Sequence, residues 1–207
     1  MDMQQRKKVG ILGGTFDPIH TGHLILAEHA WEAFSLDYVL IMPNGNPPHK
    51  PGQVNVSMEQ RTRMAELAVA DNDHLRVSDF EKTPQDYHYT YETLEFLAEK
   101  NPDTDYYFIL GADSLIHFPT WKEPERICRS CRILAATRDR METLELHSRM
   151  ELLKQEYGAV IYQLETPNID ISSNMIRERV MSGKTIKYYV PAAVEAYIQE
   201  QGLYLRK

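Results

Sequence analysis

A chain of 207 residues, 43% hydrophobic and 26% charged, has the make-up of a soluble globular α/β domain long enough to bury a real core. Its formal net charge of -7, with no basic block, makes it a poor candidate for non-specific nucleic-acid binding but leaves room for a local site that takes a small anion. No apolar run approaches the ~20 residues of a membrane span, and the apolar stretch behind the basic start is too short for a signal segment, so a cytoplasmic protein is expected.

In chain order, Val9 to Leu12 predicts a first strand, which runs into GGTFDPIHTGH, Gly13 to His23. Leu24, Ala27, Trp31 and Phe34 then recur at helical spacing. Tyr38 to Met42 predicts a second strand, stopped by Pro43, and the Pro/Gly-rich NGNPPHKPG follows as a loop. Ser57 to Ala70 is expected to be helical, with Ser57 as N-cap and Gln60 completing a capping box. A short strand at Leu75 to Val77, a helix from Tyr91 that ends near Asn101-Pro102, and a buried strand at Tyr106 to Leu110 lead to Gly111. Residues 111–121 read as a loop. A strand at Ile133 to Ala136, a helix at Met141 to Tyr157 and a strand at Val160 to Tyr162 come next. Two helices close the chain, Ser173 to Met181 and Pro191 to about Gln201, with Pro191 in the first turn and Gly202 as the stop.

Strands alternating with helices predict a parallel central sheet flanked by helices, in one domain over 1–207 with a small helical part from about 172 onward. Ligands of such sheets bind beyond the carboxyl ends of the strands. That rule gathers loops 13–23, 43–52, 111–121 and 166–174.

The first of these loops fits neither the G-x-G-x-x-G fingerprint nor the P-loop. Gly13 and Gly14 are expected to turn the backbone sharply and admit a bulky ligand. Asp17-Pro18 suits a tight turn, and Gly22 leaves the helix start open. His20, just before the helix, and His23, in its first turn, can converge on one anion at the positive end of the helix. A pair of histidines alone is more often an ordinary loop feature; the whole stretch, set between a strand and a helix, favours a phosphate site. Ser172 and Ser173 fit a second phosphate-binding helix start, with Arg177 one turn on, while Arg179 reads as solvated. Cys128 and Cys131 form a lone C-x-x-C without the second pair of ligands that a structural zinc needs, and read as ordinary thiols near a helix end.

GGTFDPIHTGH resembles the signature of the nucleotidyltransferase superfamily that carries the [HT]-x-G-H motif, here His20-Thr21-Gly22-His23. ISSNMIRERV, Ile171 to Val180, resembles its second motif, usually I-S-S-T-x-[IV]-R. MPNGNPPHK (Met42 to Lys50), YTYETL (Tyr89 to Leu94), GADS (Gly111 to Ser114) and Trp121 narrow the resemblance to the bacterial nicotinate-nucleotide adenylyltransferase family, over nearly the whole chain.

That resemblance implies a Rossmann-like nucleotidyltransferase fold and transfer of an adenylyl group from ATP to nicotinate mononucleotide, giving deamido-NAD and pyrophosphate. It puts His20, His23 and Arg177 at the reacting phosphates. It assigns ATP binding to Gly13, Gly14, Thr15, Phe16, Gly22, Gly111, Asp113, Ser172 and Ser173. Asn44, Lys50, Thr90 and Trp121 would hold the mononucleotide. Mg²⁺ would bridge the phosphates, bound mainly through ATP, with no dedicated protein metal site. The partners implied are these two nucleotides, neither nucleic acid nor membrane, and a homo-oligomer is compatible. The plainer alternatives are a helix cap for Asp113, a surface lysine for Lys50 and a core plug for Trp121.

The chain departs from the family pattern twice: Asn174 stands where threonine is usual, and Lys122 where a tyrosine often accompanies the tryptophan. One rival is another adenylyl- or cytidylyltransferase of the superfamily, for which PPHK and Trp121 are not expected. The other is a non-catalytic nucleotide sensor, which intact His20, His23 and Arg177 oppose.

Overall fold

The computed structural model describes residues 6–44, 54–78, 89–137 and 143–205. Among these, the strands are β1 (Lys7–Gly14), β2 (Tyr38–Pro43), β3 (Leu75–Val77), β4 (Thr104–Gly111), β5 (Arg132–Thr137) and β6 (Ile161–Glu165). They form one sheet in the order β3-β2-β1-β4-β5-β6, every pairing parallel.

Successive residues of a strand point to opposite faces. In β4, Tyr106, Phe108 and Leu110 enter one apolar layer while Tyr107 and Ile109 enter the other. β5 divides Ile133 and Ala135 from Leu134 and Ala136 in the same way. Strands apolar on both faces need helices on both faces, and parallel crossovers supply them. Helices α1 (Thr21–Phe34) and α2 (Met58–Val69) cover one side. On the other lie α3 (Thr90–Lys100), α4 (Ala112–His117), α5 (Pro124–Ser130) and α6 (Thr143–Tyr157). The last two helices, α7 (Ser173–Met181) and α8 (Ala192–Glu200), place Ile176, Val194 and Ile198 in the same core as Ala27, Ala30 and Met64. The strand order reverses between β1 and β4, which opens a crevice at their carboxyl ends.

The predicted strands and long helices stand where expected, with ends displaced by a few residues. The capping box of α2 is formed: Ser57 Oγ accepts from the Gln60 N–H at 3.2 Å, and Gln60 Oε1 accepts from the Ser57 N–H at 3.0 Å. Pro191 is the N-cap of α8 rather than part of its first turn, and Gly202 follows the helix with φ 58°. The proposed start of α6 at Met141 lies outside the described residues. Residues 111–121 are not a loop: they hold α4 and a 3-10 turn at Phe118–Thr120, and α5 follows directly. Helices of one or two turns are too short to show a 3.6-residue period. No helix among the described residues is long and apolar enough to cross a membrane.

Cys128 lies on α5 and Cys131 caps its end; both are buried and unpaired by disulfide. Burial pushes the Cys128 thiol up to about 11 and raises Cys131 further, so neither is a thiolate near neutrality. Both thiols should therefore resist iodoacetamide at pH 8 in the native protein and alkylate fully once it is denatured. Rapid native labelling of either, followed by mass spectrometry, would contradict their assignment as packing residues.

Candidate active site

β1 ends in Gly13-Gly14, and both remain part of the extended strand. The sharp turn expected of them is made one step later, where Phe16 takes the left-handed backbone (φ 50°) and the Asp17–Pro18 peptide is cis. Gly14 is needed for space instead: a Cβ there would lie 2.8 Å from the Phe16 ring, which folds back over the strand end. The second loop is tied to the first, since the Asn44 N–H donates to the Gly14 carbonyl at 2.8 Å. Arg61 of α2, 1% exposed, locks the pair by donating through Nη1 to the carbonyls of Thr15 (2.7 Å) and Asn44 (2.8 Å).

His20 is the N-cap of α1. Its backbone N–H donates to Nδ1 of His23 at 3.2 Å, and the two rings stack with centroids 3.6 Å apart. With Nδ1 accepting, a neutral His23 ring carries its proton on Nε2 and is a donor there. Phe16 meets the His23 ring edge-on at 5.0 Å and fixes it from the other side. Gly22 makes the stack fit: a Cβ would lie 3.2 Å from His20 Nδ1 and 3.3 Å from Cε1. Its role is thus to accommodate the His20 ring, rather than only to leave the helix start open. Gly22→Ala should lower kcat roughly tenfold by displacing that ring, although alanine favours the helix by roughly 0.5–1 kcal/mol. A melting temperature held or raised beside a reduced kcat is the expected pair of readings; an unchanged kcat would contradict it.

α7 brings the second phosphate-type helix start to the same place. Ser172 caps it, its Oγ accepting from the Met175 N–H at 3.2 Å. Ser173 Oγ donates to the Pro18 carbonyl at 2.8 Å. Arg177 donates through Nη1 to the Asp17 carbonyl at 2.7 Å and through Nη2 to Asn174 Oδ1 at 3.1 Å. Asn174 therefore orients Arg177, and its own Nδ2 donates to Glu178 at 2.7 Å. Arg179 is partly exposed, its Nε donates to the Thr185 carbonyl at 2.8 Å and its guanidinium lies over Tyr189.

These elements enclose a cavity of about 680 Å³ lined by Thr15, Phe16, His20, Gly22, His23, Asp113, Ser172, Ser173 and Arg177. Asp113 is exposed in the first turn of α4, whose N-cap is Gly111, so it does not cap that helix. Six of the described sequence-chosen residues are not among those that line the cavity: Gly13 and Gly14, which end β1, Asn44, which bonds Gly14, Gly111, which ends β4 with open space where a Cβ would be, and Thr90 and Trp121. Thr90 opens α3. Trp121 packs against Phe118 and edge-on to Phe108, with centroids 5.4 and 6.2 Å away. Lys50, with the rest of PPHK, lies outside the described residues.

Three residues escaped the sequence reading. Arg61 shares a helix face with Met64, Ala65 and Ala68, and a charge on an apolar stripe is the signal that could have marked it. Asp17, read only as a turn former, is 3% exposed. Its Oδ2 accepts from the Asn55 N–H at 2.9 Å and from Nδ2 at 3.0 Å, and its Oδ1 accepts from the Tyr204 hydroxyl at 2.8 Å. Burial, then the charge of Asp17 and the bond to it, push the Tyr204 hydroxyl far up and keep it a donor.

Residues 11–179 match the family model described as Cytidylyltransferase-like. A protein of Lachnoclostridium phytofermentans named "Probable nicotinate-nucleotide adenylyltransferase" is 42% identical over 199 residues, 96% of this chain and 100% of that protein. One of the same name from a Thermoanaerobacter species is 41% identical over 203 residues, 98% of this chain and 96% of that one. Among solved structures, the Plasmodium falciparum nicotinic acid mononucleotide adenylyltransferase complexed with NaAD superposes with a TM-score of 0.78. It covers 96% of this chain and 97% of that one at 19% identity, a likeness of fold.

Proposed function

The chain belongs to the nicotinate-nucleotide adenylyltransferases within the cytidylyltransferase-like family, and from that membership we propose how its residues carry out adenylyl transfer from ATP to nicotinate mononucleotide in NAD biosynthesis. A phosphate oxygen of the mononucleotide attacks the α-phosphorus of ATP in line. The new P–O bond gives deamido-NAD, and the bond to the bridging oxygen breaks to release pyrophosphate. The nucleophile is already an anion, so neither a catalytic base nor a covalent intermediate is required. What remains for the protein is to position two polyanions and stabilise charge as it shifts.

The observation that carries this reading is the convergence of two helix starts, those of α1 and α7, on one cavity with His20, His23 and Arg177. His23 supplies a donor at Nε2, His20 holds it there, and Arg177 supplies a planar fork suited to phosphate oxygens. Among the described residues no group of three or more His, Cys, Asp or Glu could hold a metal, and both carboxylate oxygens of Asp17 are engaged. When bound, a divalent metal, in this proposal Mg²⁺, would be held mainly by the nucleotide phosphates and would supply neutralisation of their charge. Trp121, partly exposed on its packed base, offers a face to the pyridine ring, with Thr90, Asn44 and Lys50 completing the mononucleotide side. In this reading the chain acts in the cytoplasm as one domain over 1–207.

Acceptor choice tests the proposal. A carboxylate only accepts hydrogen bonds, whereas an amide also donates, so a pocket that presents N–H donors to the ring substituent would leave amide donors unpaired. kcat/KM for nicotinate mononucleotide should exceed that for nicotinamide mononucleotide by at least ~10-fold, and phosphopantetheine should release no pyrophosphate. Equal values for the two mononucleotides would make the enzyme dual-specific, and turnover with phosphopantetheine would assign it to a different acceptor.

A further inference from the structure

We propose that Tyr204 is a positioning residue for the transfer, acting through Asp17 to keep Arg177 available to phosphate; this rests on the reading of the site given above. The residues from 188 to 204 grip the first loop at both ends. The Tyr189 carbonyl accepts from the Thr21 N–H at 2.9 Å, and the Tyr188 carbonyl accepts from Thr21 Oγ1 at 3.0 Å. At the other end the chain reverses after α8 through Gly202, and Tyr204, itself at φ 62°, points its hydroxyl back to Asp17.

A carboxylate that is 3% exposed takes most of its donors from the protein. Asn55 satisfies Oδ2 twice and Tyr204 satisfies Oδ1. A third residue with donors stands close by: Arg177 Nη1 is 3.9 Å from Oδ2 and already bonds the Asp17 carbonyl. Tyr204 holds Oδ1 and Arg177 lies nearest Oδ2, so the two address one carboxylate through different oxygens, and loss of the hydroxyl leaves Oδ1 short of a donor. While the tyrosine hydroxyl is in place, the carboxylate is satisfied and the guanidinium can turn toward the cavity. Without it, the cheapest replacement donor is Arg177, and a full ion pair with Asp17 would draw the fork away from phosphate.

Tyr204→Phe tests this, because the ring that packs on the core is retained and only the hydroxyl is lost. At a temperature where both proteins are fully folded, kcat should fall roughly tenfold while KM for ATP stays within about twofold, the pattern of an interaction made mainly in the transition state. In an Arg177→Lys background the same substitution should cost almost nothing, since the group it protects is gone. An unchanged kcat, or an equal loss in both backgrounds, overturns the proposal, and so does a loss seen only as a lower melting temperature. Wild-type protein that transfers no adenylyl group would instead overturn the reading of the site itself.

Discussion

Replacing His20 or His23 by alanine should lower kcat by roughly 10²–10³, the scale of losing one preorganised donor to developing negative charge. Preorganisation here is visible in the packing. His23 is held by the His20 N–H at Nδ1, by the His20 ring at 3.6 Å and by the edge of Phe16 at 5.0 Å, so little rearrangement is left for the moment of reaction. His20→Ala removes the platform under His23, and His23→Ala removes the donor itself. The double variant should therefore lose much less than the product of the two single losses. His23→Gln can still donate through its amide and should recover part of the rate, whereas His23→Leu should not. Steady-state kinetics with circular dichroism as a folding control checks this; near-normal turnover in both alanine variants would remove the histidines from the mechanism.

Arg61→Ala is expected to have the largest effect on stability. Its side chain is 1% exposed, and its Nη1 holds the carbonyls of Thr15 and Asn44, the ends of two loops that meet at the site. Truncation leaves a cavity and strips both carbonyls of this donor, a loss of roughly 3–5 kcal/mol. Nucleotide binding should weaken as well, because the loops are no longer pinned together. Arg61→Lys keeps the charge but sets it on a differently shaped head that does not fill the guanidinium's site, and should recover only part of the loss. Urea unfolding of the three proteins measures the first effect, and a calorimetric titration with ATP and Mg²⁺ the second. A stable Arg61→Ala protein with unaltered affinity would contradict the role given to Arg61.

How far the sequence could be read depended on the range of the interaction. Tyr106 to Leu110 and Ile133 to Ala136 are continuous apolar runs, as a strand buried on both faces must be, and β4 and β5 were legible for that reason. The α2 cap was legible because both of its bonds lie within three residues. α4 and α5 were not, since one or two turns carry no period. The two glycines at the end of β1 drew the wrong inference: their pattern suggests backbone freedom, whereas Gly14 makes room for the Phe16 ring and Phe16 supplies the positive φ. The bond from Tyr204 to Asp17 joins residues 187 apart, and no local pattern announces such a contact. The role of Asn174, which stands where threonine is usual, was not legible because its partner Arg177 is set by the helix geometry: Ser172 is the cap and the Asn174 oxygen accepts from Arg177.

The most direct test is product formation by the purified chain with ATP, Mg²⁺ and nicotinate mononucleotide, resolving every nucleotide by chromatography and assaying pyrophosphate in the same samples. Deamido-NAD and pyrophosphate should appear in equal amounts and only when both substrates are present. ATP that binds without any release of pyrophosphate, or that is cleaved to ADP or AMP without joining the mononucleotide, would contradict adenylyl transfer at this site.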